Sequence, residues 1–147
     1  MSKARVRIGA SAALILFFGA AGSAANAGDM TITVLGVSSG KGMIRAALHA
    51  AAKDFPDAQN AIATLSAPAR PGATTLVFKG LPPGRYAVAA FHDEDGNGKL
   101  KTNLIGVPTE AYGFSRNARG SVGPPSFNAA AVNMGASSIG VQFNLKK

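Results

Sequence analysis

The stretch Tyr86-Ala87-Val88-Ala89-Ala90-Phe91 decides the fold that this sequence predicts, because both of its alternating faces are apolar. Successive side chains of a β-strand point to opposite faces of the sheet. A strand that is apolar on both faces therefore needs cover on each side. We expect residues 86–91 to form a central strand between two layers.

Segments in which apolar residues recur at every second position lie before and after this central strand in the sequence, and turn residues separate them. The alternating segments are 31–34, 44–48, 75–79 and 139–145, with 127–132 as a weaker candidate. The turns are expected at 38–42, 82–84 and 135–137. Short strands punctuated in this way are typical of an all-β, antiparallel β-sandwich.

The core of this sandwich should consist of the inward-facing members of the alternating segments. These are Ile32, Val34, Ile44, Leu48, Leu76, Phe78, Val88, Val141 and Phe143. The stretch 53–72 carries three prolines around an alanine-rich piece and fits either a helical turn or a poor edge strand. The pattern leaves both open.

Composition limits the chain to one ordinary globular domain and excludes several chemistries. The 147 residues are 47% hydrophobic and include no cysteine. A disulfide framework, a Cys-ligated zinc or iron–sulfur site, a thiol nucleophile and an acylated lipoprotein anchor are therefore excluded. The 18 glycines and 8 prolines favour short elements joined by turns.

The first 27 residues have the profile of a signal peptide. Lys3, Arg5 and Arg7 precede an apolar run of about 14 residues, which is short of the roughly 20 that span a bilayer. Ala25 and Ala27 fit the small-x-small rule for cleavage after Ala27. We expect a periplasmic or secreted protein, with 1–27 removed, 28–147 as a single domain and no membrane span after cleavage; the alternative is an uncleaved anchor.

The basic residues left after cleavage are scattered. Loss of the three leader cations from a total of 15 leaves 12 Lys plus Arg against seven Asp plus Glu, a net charge of +5. Nucleic-acid binding requires a basic stripe or cluster, so we expect none. Phosphates and carboxylates of the envelope are the acidic partners that fit this charge.

A long segment, 93–126, has no sustained period, and it opens with the acidic turn Asp93-Glu94-Asp95-Gly96-Asn97-Gly98-Lys99-Leu100. On an EF-hand loop Asp93, Asp95 and Asn97 take positions 1, 3 and 5, and the carbonyl of Lys99 takes position 7. Position 12 is Leu104 instead of a glutamate, and Glu110 is the one later carboxylate. We expect weak calcium binding at most; the alternative is a metal-free turn whose Asx side chains cap their own backbone.

The same long loop carries a second candidate site. Its members are Tyr112, Phe114, Ser115, Arg116 and Asn117. Aromatic and arginine side chains in a glycine-rich loop can bind an envelope protein, a peptide or a glycan. They can equally pin a long loop onto its sheet.

The run LPPGRYAVAAFHDEDGNGKLKTNLIGVPTEAYGFSRNARGSVGPPSF, residues 81–127, resembles an exported bacterial family, domain of unknown function 2141. The resemblance rests on the strand that ends in His92-Asp93, the Asn-Gly-Lys-Leu turn, and the Gly-x-Pro-x-Glu and Tyr-Gly-Phe-Ser pieces. It implies an exported domain with an immunoglobulin-like or transthyretin-like sandwich and one long ordered loop, and it implies no activity. Lys101 departs from the acid expected after Lys-Leu. The turn Leu81-Pro-Pro-Gly-x-Tyr86 is also similar to the strand-entry turn of prealbumin-like repeat domains.

These residues are compatible with three functions. We expect a non-catalytic binding module of the cell envelope, with no catalytic residues. One alternative is a hydrolase or lyase that uses His92 with Asp93, Asp95 or Glu110 as acid and base. The other is an assembly subunit that pairs through a sheet edge. Ser115 lacks the Gly-x-Ser-x-Gly context of a nucleophile, and no His-x-x-x-His spacing occurs.

Overall fold

The computed structural model describes residues 26–147. The predicted signal peptide lies outside these residues except for its last two. The described chain forms eight strands: β1 (Gly28–Val37), β2 (Met43–His49), β3 (Ala63–Pro68), β4 (Gly72–Leu81), β5 (Gly84–Asp93), β6 (Tyr112–Phe114), β7 (Val132–Met134) and β8 (Ile139–Asn144). One short helix, α1 (Phe127–Ala130), and three single 3₁₀ turns, Ala52–Asp54, Ala58–Asn60 and Ser115–Asn117, lie between them.

The strands make two sheets, which confirms the predicted all-β class. One sheet has the order β4-β1-β8, and the other has the order β3-β2-β5-β6, with β7 paired to the first residues of β5. Side chains from both sheets share one core, as in a β-sandwich. The predicted central strand, β5, pairs with β2, β6 and β7. No helix within 26–147 has the length and apolar character needed to cross a membrane.

Two details of the predicted fold are wrong. The β1–β8 pair is parallel, with Met30 opposite Ile139, whereas we expected antiparallel pairing throughout. The alternation along 139–145 identifies a strand but carries no information about its direction. The weak strand candidate 127–132 contains α1, because the Ser126 hydroxyl accepts a hydrogen bond from the Ala129 N–H and caps the turn.

The predicted core is confirmed. All nine residues expected there are buried, seven of them on the two long pairs β1–β4 and β2–β5 and the other two on β8. The ambiguous stretch 53–72 combines both of its alternatives, since 3₁₀ turns precede the strand β3.

A second apolar cluster covers part of the outer face of the five-stranded sheet. We call it the outer cluster; it contains Phe55, Ala87, Phe114, Phe127 and Ala130. The Phe55 ring meets the rings of Phe114 and Phe127 edge-on, with centroids 5.7 and 6.1 Å apart. The rest of this face is left open, and the candidate site lies there.

Candidate metal centre and adjoining groove

The acidic turn begins where β5 ends, and its first carboxylate is fully buried. Asp93 accepts hydrogen bonds from the backbone N–H of Asn97 (3.1 Å) and of Gly98 (2.9 Å). The Nε–H of Arg45 donates a third at 2.5 Å. Asp93 therefore anchors the turn to strand β2.

The alternating side chains of this turn close Asx turns. The Asp95 carboxylate accepts from the Asn97 N–H at 3.1 Å, and the Asn97 side-chain oxygen accepts from the Lys99 N–H at 2.8 Å. These are bonds that the metal-free alternative predicted. They leave lone pairs free, since a carboxylate offers about four acceptor sites.

Glu110, 15 residues beyond Asp95 in sequence, folds back onto the turn. Its two carboxylate oxygens accept from the N–H of Glu94 (3.0 Å) and the N–H of Lys101 (2.9 Å). Asp93, Asp95 and Glu110 each place one oxygen within 4.8 Å of the other two. This set, the acidic cluster, could hold a metal ion. The ligand roles of Asn97 and Lys99 stay predictions.

Charge is only partly balanced in the acidic cluster. Burial raises the pKa of Asp93, but the hydrogen bonds from Arg45 and Gly98 and the arginine charge outweigh it and hold the pKa below its ordinary value. Lys101 Nζ lies 3.8 Å from Asp95. Glu110 is nearly buried, and within residues 26–147 it forms no ion pair. A carboxylate that is hydrogen-bonded to backbone N–H groups but has no cation paired with it attracts a cation.

The acidic cluster opens into a polar cavity of about 470 Å³. Asp95 and Glu110 line it together with Glu94 and Thr109, and three lysines surround them. The lysines are Lys41, Lys101 and Lys147. A small ion can reach the cluster from this side.

An apolar groove, also of about 470 Å³, lies on the open part of the outer sheet face. Its floor comes from β5 and β6 and includes Ala89, Phe91, Tyr112 and Phe114. Residues 56–59 form one wall and residues 98–100 form the other. The acidic turn is thus shared between the acidic cluster and the groove.

The five predicted binding residues separate into two groups. Tyr112 and Phe114 line the groove. Ser115 is fully buried, where its hydroxyl donates to the Ala130 carbonyl (2.6 Å) and accepts from the Val88 N–H (2.9 Å). The Asn117 side chain accepts from the Asn144 N–H (2.8 Å), and Arg116 is exposed. Ser115 and Asn117 thereby pin the loop.

Sequence reasoning missed Arg45, which it grouped with the scattered surface cations. Arg45 lies 48 residues from Asp93, and only the β2–β5 register brings them together. No local motif signals such a pair. The groove residues 56–59 were missed for the same reason.

The two histidines are both buried. His92 has no exposed surface; its Nε2–H donates to the Lys41 carbonyl at 2.7 Å, and its Nδ1 lies 3.8 Å from a Glu94 oxygen. His49 has no hydrogen-bond partner on either ring nitrogen within the described chain. Its ring meets the Phe55 ring edge-on at 5.3 Å between centroids.

These features define a class: a mostly β, two-sheet domain with a carboxylate cluster that could bind a metal beside an apolar groove. The model of a family of uncharacterized proteins conserved in bacteria, domain of unknown function 2141, matches residues 32–142, and the chain belongs to this family. The match confirms the resemblance seen in 81–127. No curated protein and no solved structure matches the chain.

Proposed function

We propose that this protein is an exported, non-catalytic binding module of the cell envelope whose acidic loop takes calcium. The observation that carries the proposal is the acidic cluster, in which Asp93, Asp95 and Glu110 bring oxygens within 4.8 Å of one another. Hard oxygen ligands of this type suit calcium, which binds six to eight of them. Water supplies the remainder, so the affinity is weak, with a dissociation constant of about 0.1–1 mM.

The groove is the ligand site in this proposal. Phe91 and Tyr112 offer aromatic surface, and Asp57 and Gln59 offer polar groups at the rim. An apolar groove edged by a few polar groups suits a peptide or a glycan of the envelope. Because residues 98–100 form one wall, a cation that holds the acidic turn also fixes that wall.

Export and the finer fold belong to the same proposal. The charged start, the short apolar run and the small-residue end of 1–27 support cleavage after Ala27 and a periplasmic or secreted location. The two sheets with a shared core support an immunoglobulin-like or transthyretin-like sandwich.

A binding role is favoured over the hydrolase or lyase alternative by the state of the candidate acid and base. His92 has no solvent access, and its Nε2–H is committed to the Lys41 carbonyl. Asp93 is held by Arg45 and two backbone N–H groups. A general base must reach a substrate proton directly or through one water.

Calcium-dependent melting of the exported protein tests the cation site. At 10 mM calcium and a dissociation constant of about 1 mM, binding stabilises the fold by about 1.4 kcal/mol, which raises the melting temperature by several degrees. Magnesium should act less, since its strict octahedron fits an incomplete site poorly. Asp95→Asn should abolish the calcium shift.

Asp54→Asn is the matched control, because it removes one carboxylate that lies outside the acidic cluster. It should keep the calcium shift. If wild type, Asp95→Asn and Asp54→Asn all melt alike at every calcium concentration, the acidic turn is a hydrogen-bonded element without a metal.

A peptide and glycan array tests the groove. The array is read once with calcium and once with EDTA, and Tyr112→Ala should abolish binding.

A further inference from the structure

A narrow hairpin projects from the long loop just after the acidic turn. Thr102 and Pro108 form an antiparallel bridge, and the Thr109 N–H donates to the Lys101 carbonyl at 2.8 Å. The tip between them, residues 103–107, carries Leu104, which is 106% exposed, and Ile105, which is 84% exposed. Val107 adds a third exposed aliphatic side chain.

The tip is held in shape by its own hydrogen bonds. The Asn103 side-chain oxygen accepts from the N–H of Ile105 and the N–H of Val107, both at 3.0 Å. The Asn103 N–H donates to the Val107 carbonyl at 2.9 Å, and the Gly106 N–H donates to the Asn103 carbonyl. Leu104 and Ile105 are therefore displayed to solvent by a formed turn, and little entropy is lost when they bind.

Two lysines lie at the base of this tip. Lys99 and Lys101 precede it in sequence, and the Lys101 carbonyl closes the hairpin by accepting from the Thr109 N–H. The described chain has an excess of five positive charges, since the 12 Lys plus Arg exceed the seven acids. The surface around the apolar tip is thus suited to an anionic partner.

We propose that the hairpin tip inserts Leu104 and Ile105 into the interface of an anionic phospholipid bilayer while the lysines contact its headgroups. A convex tip of three aliphatic side chains is too small for a stable protein interface, which buries about 1,200–2,000 Å² around aromatic or arginine anchors. It does suit a lipid surface, which deforms around an inserted side chain. The inserted side chains lie outside both the groove and the acidic cluster, so their insertion does not require a bound cation.

The binding is reversible and sensitive to salt. Insertion of a single apolar group binds a membrane only weakly, and electrostatic attraction from a basic patch strengthens that binding. Each lysine near an anionic surface contributes about five-fold in affinity at low salt, and the effect falls off within a Debye length. Binding by this tip therefore needs both the inserted aliphatic side chains and the attraction of the lysines to the anionic headgroups.

Tryptophan fluorescence tests this proposal directly, because the chain has no tryptophan of its own. Ile105→Trp puts one indole at the tip. Ile62→Trp is the control, because Ile62 is also exposed but lies far from the tip. The Ile62 N–H donates to the Leu48 carbonyl, near the end of β2. The acidic turn adjoins the other end of β2, where Met43 pairs with Asp93. Both variants are made in the exported protein, with the N-terminus read by mass spectrometry, and are mixed in EDTA with phosphatidylglycerol–phosphatidylcholine vesicles.

The expected result is a shift of emission to shorter wavelength for Ile105→Trp only. The shift should disappear with pure phosphatidylcholine vesicles and in high salt. A second change, Leu104→Ser, should weaken the vesicle affinity of the tip variant at least about ten-fold, because it removes one inserted aliphatic side chain. Lys99→Gln should weaken it about five-fold.

Three outcomes would overturn the proposal. The first is no shift with anionic vesicles, and the second is an equal shift for Ile62→Trp. The third is a shift of the tip indole that appears without vesicles and grows with protein concentration, which would make the tip a contact between protein molecules. Because every arm is run in EDTA, failure here leaves the calcium proposal standing, and failure of the calcium proposal leaves this one standing.

Discussion

The two ends of the five-stranded sheet bury polar side chains in opposite ways. The β2–β5 register places Met43 opposite Asp93 at one end and His49 opposite Ala87 at the other. Asp93 is fully buried and receives three hydrogen bonds, one of them from the Arg45 guanidinium. His49 is equally buried and receives none from the described residues.

The difference shows that burial does not by itself fix a charge state. At the Asp93 end, donors outweigh the desolvation of the carboxylate and lower its pKa, which favours the ion. At the His49 end, desolvation lowers the histidine pKa and favours the neutral ring, although Asp54 and Asp57 act in the opposite direction. One end is stabilised by charge, and the other by apolar packing.

The largest effect that tests this comparison should come from Gly42→Ala. Gly42 has a φ of 67°, and a Cβ there would overlap the backbone carbonyl oxygen of Asp93. The positive φ and the overpacking together should lower the free energy of unfolding by about 3–5 kcal/mol. Urea denaturation of the variant and the wild type measures this difference.

Gly80→Ala is the matched control at the opposite end of the molecule. Gly80 has a φ of 66°, but a Cβ there meets nothing within 4 Å. It should therefore cost only about 1–2 kcal/mol, the price of the backbone conformation. Equal losses for the two variants would mean that close packing against Asp93 contributes nothing.

Asp93→Asn should have the next largest effect. An amide cannot reproduce a carboxylate that accepts from Arg45 and two backbone N–H groups, so about 3 kcal/mol of unfolding free energy should be lost. Asp95→Asn changes an exposed carboxylate in the same turn and should cost less than about 1 kcal/mol when both are measured in EDTA. Similar losses would show that the burial of Asp93 is not what makes it important.

The inner core was predictable from the sequence because burial imposes a period of two on each strand. Phe78 and Phe143 follow that period, and both are buried. The direction of β8 was not predictable, since alternation is the same in parallel and antiparallel strands. The short-range Asx turns were predictable because Asp95 and Asn97 bond backbone groups two residues on.

Long-range polar contacts were predictable only in part. Glu110 was singled out as the one later carboxylate, and it joins the acidic cluster. Arg45 was not singled out, because its pairing depends on strand register and not on spacing. The exposed Leu104 was seen only as the wrong residue at a calcium position, since sequence does not tell an outward aliphatic side chain from an inward one.

His49 should make the stability of the fold decrease as pH falls through the ordinary histidine pKa of about 6.5. Its folded pKa lies below 6.5, so the unfolded chain takes up a proton first as pH falls. The stability that this group contributes is complete well above pH 6.5. It declines as pH falls through 6.5 toward the lower folded pKa, by at most about 1.4 kcal/mol per pH unit. Urea unfolding at several pH values should show this slope in the wild type and a flatter one in His49→Leu; equal slopes would assign the dependence to other groups.

The smallest effect should come from Phe55→Leu, which alters the cover of His49 without removing an apolar side chain. The Phe55 ring lies edge-on to the His49 ring at 5.3 Å, so a shorter residue admits water and reduces desolvation. The pKa of His49 should then rise toward 6.5, and the pH slope of stability should shrink. Titration of the His49 ring protons by NMR measures this directly, with the signal assigned by its loss in His49→Leu. Phe78→Leu, in the inner core, should leave the His49 pKa unchanged. If Phe55→Leu lowers that pKa further or leaves it unmoved, the outer cluster does not shield His49, and the contrast between the two ends of the sheet fails at this residue.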